Sequence, residues 1–340
     1  MRKRSIVTGL LGALAPLAAW ADPPVRLAAV GDLAFVNPVS DELLRGTDPF
    51  RAVRAELVGA DLTFGNLECV LSERRPPPYE GHERPGVLLR GPCAAGETLR
   101  AAGFDVVSLA NNHAYDLGGL GAAESRGCVL GAGVAVVGGG QGRAEARAPW
   151  VTTVRGTRVG VLAFTFDTNR YAHGTFRVSR LDDDAAGAVR ALRPQVDVLL
   201  VSVHWGTEFV HQPNPYQRAF ARTLVDAGAD AILGHHPHVL QGVELVRGRP
   251  VFYSLGNFLF GPEPGPRGWS AVLSLDLDRT RGVTAARLLP VRLLGHDGVP
   301  TPAPGPEGDP LRAVLTSASS ALGTRFTNAS GVLELLLPQR

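Results

Sequence analysis

Short apolar runs rich in β-branched residues alternate with stretches of helical spacing along most of the chain. Residues 26–30 read as a strand that stops at Gly31-Asp32, residues 50–58 as a helix, and 62–65 as a strand that stops at Asn66-Leu67-Glu68. A short helix at 97–102 leads to a strand at 106–109, which stops at Asn111-Asn112-His113. A helix at 117–131 and a strand at 134–137 follow, then a hairpin of 150–154 and 158–164 across Arg155-Gly156-Thr157. The second half repeats the rhythm. A helix at 183–192 precedes the nearly continuous apolar run 196–203, the pattern of a strand covered on both faces. It stops at His204-Trp205-Gly206. A helix at 216–227 and a strand at 231–233 lead to Gly234-His235-His236-Pro237-His238. A second hairpin pairs 243–246 with 251–254, and late strands fall at 272–277 and 284–291.

Strands alternating with helices predict an α/β fold with helices outside stacked sheets, and the hairpins make those sheets mixed. Residues 72–92 and 261–268 are Pro/Gly-rich and predict loops; 295–310 predicts a linker before a terminal helix at 311–322. The expected organisation is a main domain at 22–294 followed by a linker and appendage at 295–340.

The amino terminus changes the charge balance. Arg2, Lys3 and Arg4 precede the apolar run 6–19, and Ala19-Trp20-Ala21 fits a small-x-small cleavage site. Residues 1–21 therefore read as a secretory signal, which predicts an exported protein, periplasmic or at the cell surface. The apolar run is shorter than the ~20 residues of a spanning helix. The 340-residue chain carries 34 basic and 32 acidic residues; without the three basic residues of the leader, 31 face 32. The remainder is near neutral and has no basic stripe with interleaved aromatics, which argues against a nucleic-acid partner. Three cysteines, Cys69, Cys93 and Cys128, allow one bridge in an oxidising compartment; a Cys69–Cys93 pair is expected, with one thiol left over. No C-x-x-C spacing suggests a zinc-thiolate site.

The polar residues that carry chemistry share one position: each follows an apolar strand. Ligands of open α/β sheets bind outside the carboxyl ends of strands. Asp32 alone reads as an Asx turn or cap. Asn66 and Glu68, two apart, would share a strand face. Asn112, His113 and Asp116 offer a ligand, a proton donor and a carboxylate to orient it. His204 alone reads as a satisfied structural histidine. The block His235, His236 and His238 around Pro237 is harder to explain without a metal, for which His is the commonest ligand. Oxygen and nitrogen donors without thiolate suit zinc, manganese or iron.

Six ordered runs carry a family resemblance: Val30-Gly31-Asp32, Gly65-Asn66-Leu67-Glu68, Ser108-Leu109-Ala110-Asn111-Asn112-His113, Val203-His204-Trp205-Gly206-Thr207-Glu208, Gly234-His235-His236-Pro237-His238-Val239 and Tyr253-Ser254-Leu255-Gly256-Asn257-Phe258. They resemble the signature blocks of the CapA family of poly-γ-glutamate capsule biosynthesis proteins, over about residues 26–260. That family is similar to the calcineurin-like metallophosphoesterases, which implies a four-layered αββα sandwich of two mixed sheets. The resemblance implies one or two divalent ions (Mn, Zn or Fe) held by Asp32, Asn66, Glu68, Asn112, His204, His236 and His238. It implies His113 as the acid, with Asp116 beside it in the catalytic set. Trp205, Glu208, His235, Tyr253 and Asn257 are expected at the substrate pocket. The pattern is departed from at Ala34, where the superfamily has His, and at Asn66, where it has Asp. One ion, two unequal ions or none remain open.

Three functions follow as expectations. The first is an exported metal-dependent hydrolase in the synthesis of poly-γ-glutamate or another surface polymer, acting on an anionic polymer or a phosphoester. The second is a non-catalytic accessory subunit partnered with a membrane-bound polymer synthase. The third is a periplasmic phosphatase unconnected with capsule.

Overall fold

The computed structural model describes residues 23–75, 87–170, 174–182 and 184–338. The expected signal segment lies outside these residues. Along the chain, β1 (Val25–Leu33), β2 (Leu62–Leu67), β3 (Val106–Ser108) and β4 (Ala135–Val137) are followed by β5 (Trp150–Val154), β6 (Thr157–Thr165), β7 (Val198–His204) and β8 (Ala231–His235). Then come β9 (Val243–Val246), β10 (Arg249–Phe252), β11 (Asn257–Leu259), β12 (Trp269–Asp278), β13 (Gly282–Leu294), β14 (Val299–Pro302), β15 (Phe326–Ala329) and β16 (Val332–Leu335).

Two large mixed sheets result among the described residues, beside two short two-stranded pairs, Val70–Leu71 with Arg90–Gly91 and Gly139–Gln141 with Phe176–Val178. The larger runs β15-β16-β13-β12-β1-β2-β3-β4, with β11 also on β1 and β14 also on β13. The smaller runs β9-β10-β8-β7-β6-β5. Pairing is parallel from β1 through β4 and among β6, β7, β8 and β10, and antiparallel in β5–β6 and β9–β10, between β1 and β12, and among β12 to β16.

Alternation along each strand builds the layers, since successive side chains point to opposite faces. In β1, Leu27 and Ala29 enter a core shared with Val159, Val161, Leu200 and Leu233 of the smaller sheet. Ala28 and Val30 face the other way, into a core with Leu57, Leu99 and Val129 from helices Arg54–Val58, Ala95–Ala101 and Gly118–Gly131. In β7, Leu199 and Val201 pack instead with Val189, Leu192 and Leu224 of helices Ala185–Leu192 and Pro215–Asp226. Helix, sheet, sheet, helix is therefore the order of layers. Phe64 between the sheets and Phe104 outside them are fully buried, each contributing roughly 1.5–3 kcal/mol.

The helix Pro215–Asp226 shows how local sequence sets an element. The Asn214 side chain accepts from Gln217 N, the Gln217 side chain answers to Asn214 N, and Pro215 supplies a preset first turn. Two expectations need correction. The disulfide joins Cys93 to Cys128, and Cys69 is the buried free thiol. Cys93 precedes one helix and Cys128 lies in the next; the two helices pack so closely that a Cβ at Gly96 would lie 2.6 Å from the Cys128 carbonyl. The stretch read as a linker carries β14, whose Pro300 and Pro302 pair with Leu293 and Val291. Proline is tolerated there because the strand has a neighbour on one side only. Beyond the terminal helix Asp309–Ser320, β15 and β16 extend the larger sheet.

Candidate active site

The parallel strands of both sheets end along one edge, and that edge gathers the polar residues. Asp32 is in register with Asn66 on one side and Asn257 on the other. His204 is in register with His235. The glycines before Asp32 and His235 let neighbouring backbone come close. A Cβ on Gly31 would lie 1.9 Å from the Gly256 carbonyl oxygen, and one on Gly234 would lie 2.0 Å from that of Tyr253.

Asp32 is fully buried. Its Oδ1 accepts from Asn66 Nδ2 at 2.8 Å and lies 3.3 Å from His235 Nδ1; its Oδ2 accepts from the His236 backbone N–H at 3.2 Å. Burial pushes this carboxyl up, but His235, His204 and His238 outweigh it and hold Asp32 well below the usual carboxylate range. Glu68 goes the other way. Burial and then the Asp32 charge raise it well above its ordinary value. Neither Glu68 oxygen has a hydrogen-bond partner. His204 Nε2 lies 3.3 Å from Glu68 Oε1 but faces Asn112 Oδ1 at 2.7 Å instead. Burial also holds His204 and His236 well below the usual imidazole value, which favours the form that offers a lone pair.

His236 and His238 flank Pro237 with φ of 97° and 56°. Non-glycine residues reach this left-handed region at a cost of about 1–3 kcal/mol each, a cost that concentrates at functional sites. The turn aims both rings inward. His238 Nδ1 pairs with Asn257 Oδ1 at 2.8 Å, which leaves Nε2 toward Glu68 Oε1 at 3.8 Å. Three overlapping triads have donor atoms within 4.8 Å of one another: Glu68–His204–His236, Asp32–Glu68–His238 and Glu208–His236–His238.

These residues fit a divalent cation. Ligands held at ~2.0–2.2 Å from one ion lie about 3 Å or a little more apart, close to the spacings around Glu68. A wholly buried carboxylate with both oxygens unpartnered costs several kcal/mol, and a cation removes that cost.

Beside the triads, His113 Nδ1 meets Asp116 Oδ2 at 2.7 Å. The same oxygen accepts from Leu89 N at 2.7 Å, so the end of the loop at 72–92 returns to the site. Burial lowers His113, but hydrogen bonding and charge from Asp116 outweigh it and leave the imidazole above its ordinary value.

Asp32, Asn66, Glu68, Asn112, His204, His236 and His238 are thus brought together, with His113, Asp116 and the exposed Glu208 at their edge. Three expected pocket residues are placed elsewhere. Trp205 is buried against Tyr253 and donates its indole N–H to the Tyr253 carbonyl at 3.1 Å. The Tyr253 hydroxyl donates to Glu244 at 2.6 Å. Both lie on the helix-facing side of the smaller sheet because alternation turns Trp205 away from His204. His235 is fully buried, packed against Phe64 with ring centroids 6.0 Å apart, and serves Asp32 rather than the pocket. Asn257 is also buried and orients His238. Asn169 was missed. Its amide links Asn112 Nδ2 at 3.3 Å with His113 Nε2 at 3.4 Å. It lies just beyond β6, the position shared by the other site residues.

The profile of the bacterial capsule synthesis protein family PGA_cap matches residues 26–262, which hold all of these groups. The chain belongs to this family. The capsule biosynthesis protein CapA of Bacillus anthracis is 30% identical over 308 residues, covering 85% of this chain and 72% of that one. The PGA biosynthesis protein CapA of Bacillus subtilis is 28% identical over 299 residues, covering 83% and 75%. A probable polyglutamine synthesis accessory protein of Mycobacterium tuberculosis is 32% identical over 167 residues, covering 45% and 44%. Among solved structures, a 5′-nucleotidase precursor of Thermus thermophilus is similar with a TM-score of 0.48 at 16% identity, covering 85% of this chain and 59% of that one. A hypothetical protein of the same organism has a TM-score of 0.45 at 20% identity, covering 82% and 98%. Those likenesses are distant; the PGA_cap fold described above rests on strand order and buried faces.

Proposed function

We propose that this PGA_cap protein is an exported, metal-dependent hydrolase of the phosphoesterase type that acts in the synthesis, export or trimming of poly-γ-glutamate or a related anionic surface polymer. The observation that carries the reading is the buried Glu68 carboxylate, unpartnered among imidazoles and Asp32 at the carboxyl edge of both sheets. Asp32, Glu68, Asn112, His204, His236 and His238 would hold one or two divalent ions. When bound, such ions supply Lewis-acid polarisation of the scissile group and an activated water.

The chain's own residues divide the remaining work. Asn112 Oδ1 and His204 Nε2, 2.7 Å apart, would face one ion as two donors. Asn257 fixes the His238 tautomer so that Nε2 faces inward. Asp116 Oδ2 accepts a hydrogen bond from His113 Nδ1–H and steadies a charged imidazolium, which would give His113 an Nε2 proton for the leaving group. The names of the Bacillus and mycobacterial relatives, a capsule biosynthesis protein and a probable polyglutamine synthesis accessory protein, support a setting in polymer synthesis; a membrane-bound synthase is the partner we propose. The accessory wording of the mycobacterial name also favours a second reading, a pocket that binds the polymer without turnover.

Hydrolysis separates the two. Full-length protein freed of its leader, loaded with Mn or Zn, should cleave a simple phosphate ester or poly-γ-glutamate. His113→Ala should retain its metal and lose about 10²–10⁴ in turnover. A metal-loaded protein inert on both substrates favours the accessory reading. A His113→Ala protein as fast as the parent removes His113 as the acid.

A further inference from the structure

Two residues at the rim of the nest have no part in the roles above, Phe209 and Arg267. Phe209 follows Glu208 on the loop after β7, is 52% exposed, and is held at φ 62°, a conformation that non-glycine residues rarely adopt. Its N–H donates to the Pro237 carbonyl at 2.8 Å. Its ring centroid lies 6.1 Å from that of His238, and the Arg267 guanidinium carbon lies over the ring, 5.5 Å from the same centroid. Those two spacings together keep the guanidinium within about 12 Å of the His238 imidazole. Building on the polymer reading above, we infer that Arg267 selects a polymeric substrate: its guanidinium, carried on Phe209, takes a carboxylate of a unit neighbouring the one held in the nest.

The guanidinium is placed and available. Stacking uses its flat face and leaves its N–H edge for a planar, two-toothed contact with a carboxylate. Glu263 Oε2 stands 3.1 Å from Nε, with the Arg267 side chain 42% exposed. A pair so open to water is worth little, and among the described residues neither Nη group makes a hydrogen bond. Glu208 and Glu263 keep the rim from being basic overall, so the contact reads one carboxylate at short range and does not gather polyanions from a distance. A γ-linked glutamate repeat has five backbone bonds and spans roughly 6 Å, so the guanidinium reaches the carboxylate one or two units along. A simple phosphate ester has no second anion to offer it.

The backbone ties this arm to the nest. Asn257 Nδ2 donates to the Arg267 carbonyl at 3.3 Å while Asn257 Oδ1 faces His238 Nδ1 at 2.8 Å, so one amide registers both. The carbonyl can only accept, which fixes which end of that amide meets His238. Arg267 lies in the short turn Gly265–Gly268, where Pro264 and Pro266 restrict the chain. A Cβ on Gly268 would lie 2.3 Å from the Glu263 carbonyl oxygen, so the turn closes tightly on itself.

The test compares the purified protein with Arg267→Gln, both supplied with Mn²⁺. A short fluorescently tagged γ-linked glutamate oligomer is titrated by anisotropy, and inorganic phosphate by calorimetry. The variant should bind the oligomer about tenfold more weakly, the lower end of what a hydrogen bond to a charged group supplies. Phosphate, a single anion that needs only the nest, should bind both proteins equally. The Arg267 carbonyl survives the substitution, so metal content and melting temperature should not change. Equal oligomer binding by the two proteins overturns the inference. So does a parallel loss of phosphate binding, which would make Arg267 a support of the nest and not a reader of the polymer. A parent that does not bind the oligomer overturns it together with the polymer reading. The metal reading is judged apart, by the Mn²⁺ content of the same samples.

Discussion

Replacing Gly31 by alanine tests how backbone packing positions the site. The added Cβ would lie 1.9 Å from the Gly256 carbonyl oxygen, about 1.1 Å inside the 3.0 Å approach that real Cβ atoms respect. The obstacle is backbone, so no side chain can rotate out of the way. β1 and the segment before β11 must separate by on the order of 1 Å, and these carry Asp32 and Asn257, a register pair. Overpacking of this kind costs about 1–3 kcal/mol. Reduced freedom of the unfolded chain returns roughly 0.4–1 kcal/mol of that, so a net loss of up to about 2.6 kcal/mol is expected. The functional loss should be larger, because sites tolerate only about 0.5 Å of misplacement. Asn257 orients His238, and loss of such a partner weakens metal binding about 10–100-fold. Thermal melting and Mn²⁺ titration of Gly31→Ala read the two effects separately. A variant with parental stability and parental affinity would refute the claim that this close approach positions the site.

Two further outcomes follow. Trp205→Phe removes the indole donor from the Tyr253 carbonyl; it should cost about 1–3 kcal/mol in denaturant unfolding and leave metal stoichiometry unchanged, whereas a loss of metal would return Trp205 to the site. The Cys93–Cys128 bridge spans 35 residues, so reducing it should cost about 4 kcal/mol by loop-closure entropy. Thiol titration should find one reactive group after unfolding, and none in the folded protein, because Cys69 is buried with its thiol pushed up to about 12; a reactive thiol in the folded state would contradict the pairing.

Much of this arrangement is legible along the chain because parallel strands covered on both faces leave unmistakable apolar runs. The residues after them must lie at one edge, and that rule alone collects Asp32, Asn66, His204 and His235. The same rule reaches Asn169, which follows β6 but sits in no memorable motif. Adjacency in a motif misleads where alternation decides: Trp205 is one residue from His204 and therefore on the opposite face. The disulfide was not legible because it records helix-on-helix packing, which sequence distance does not encode. β14 was hidden by Pro300 and Pro302, which signal a linker until a sheet edge is there to accept them. Glu208 was legible as a polar residue near the site, but its meeting with His236 and His238 depends on left-handed turns at Gly206, Phe209, His236 and His238.

The most direct measurement is the divalent-metal content of the purified protein, by elemental analysis, beside His204→Ala and His238→Ala. The parent should carry at least one divalent ion per chain, and both variants should carry less while remaining folded. A metal-free parent that takes up no added Mn²⁺ or Zn²⁺, or variants with undiminished metal, would contradict the assignment of the nest around Glu68 as a metal centre.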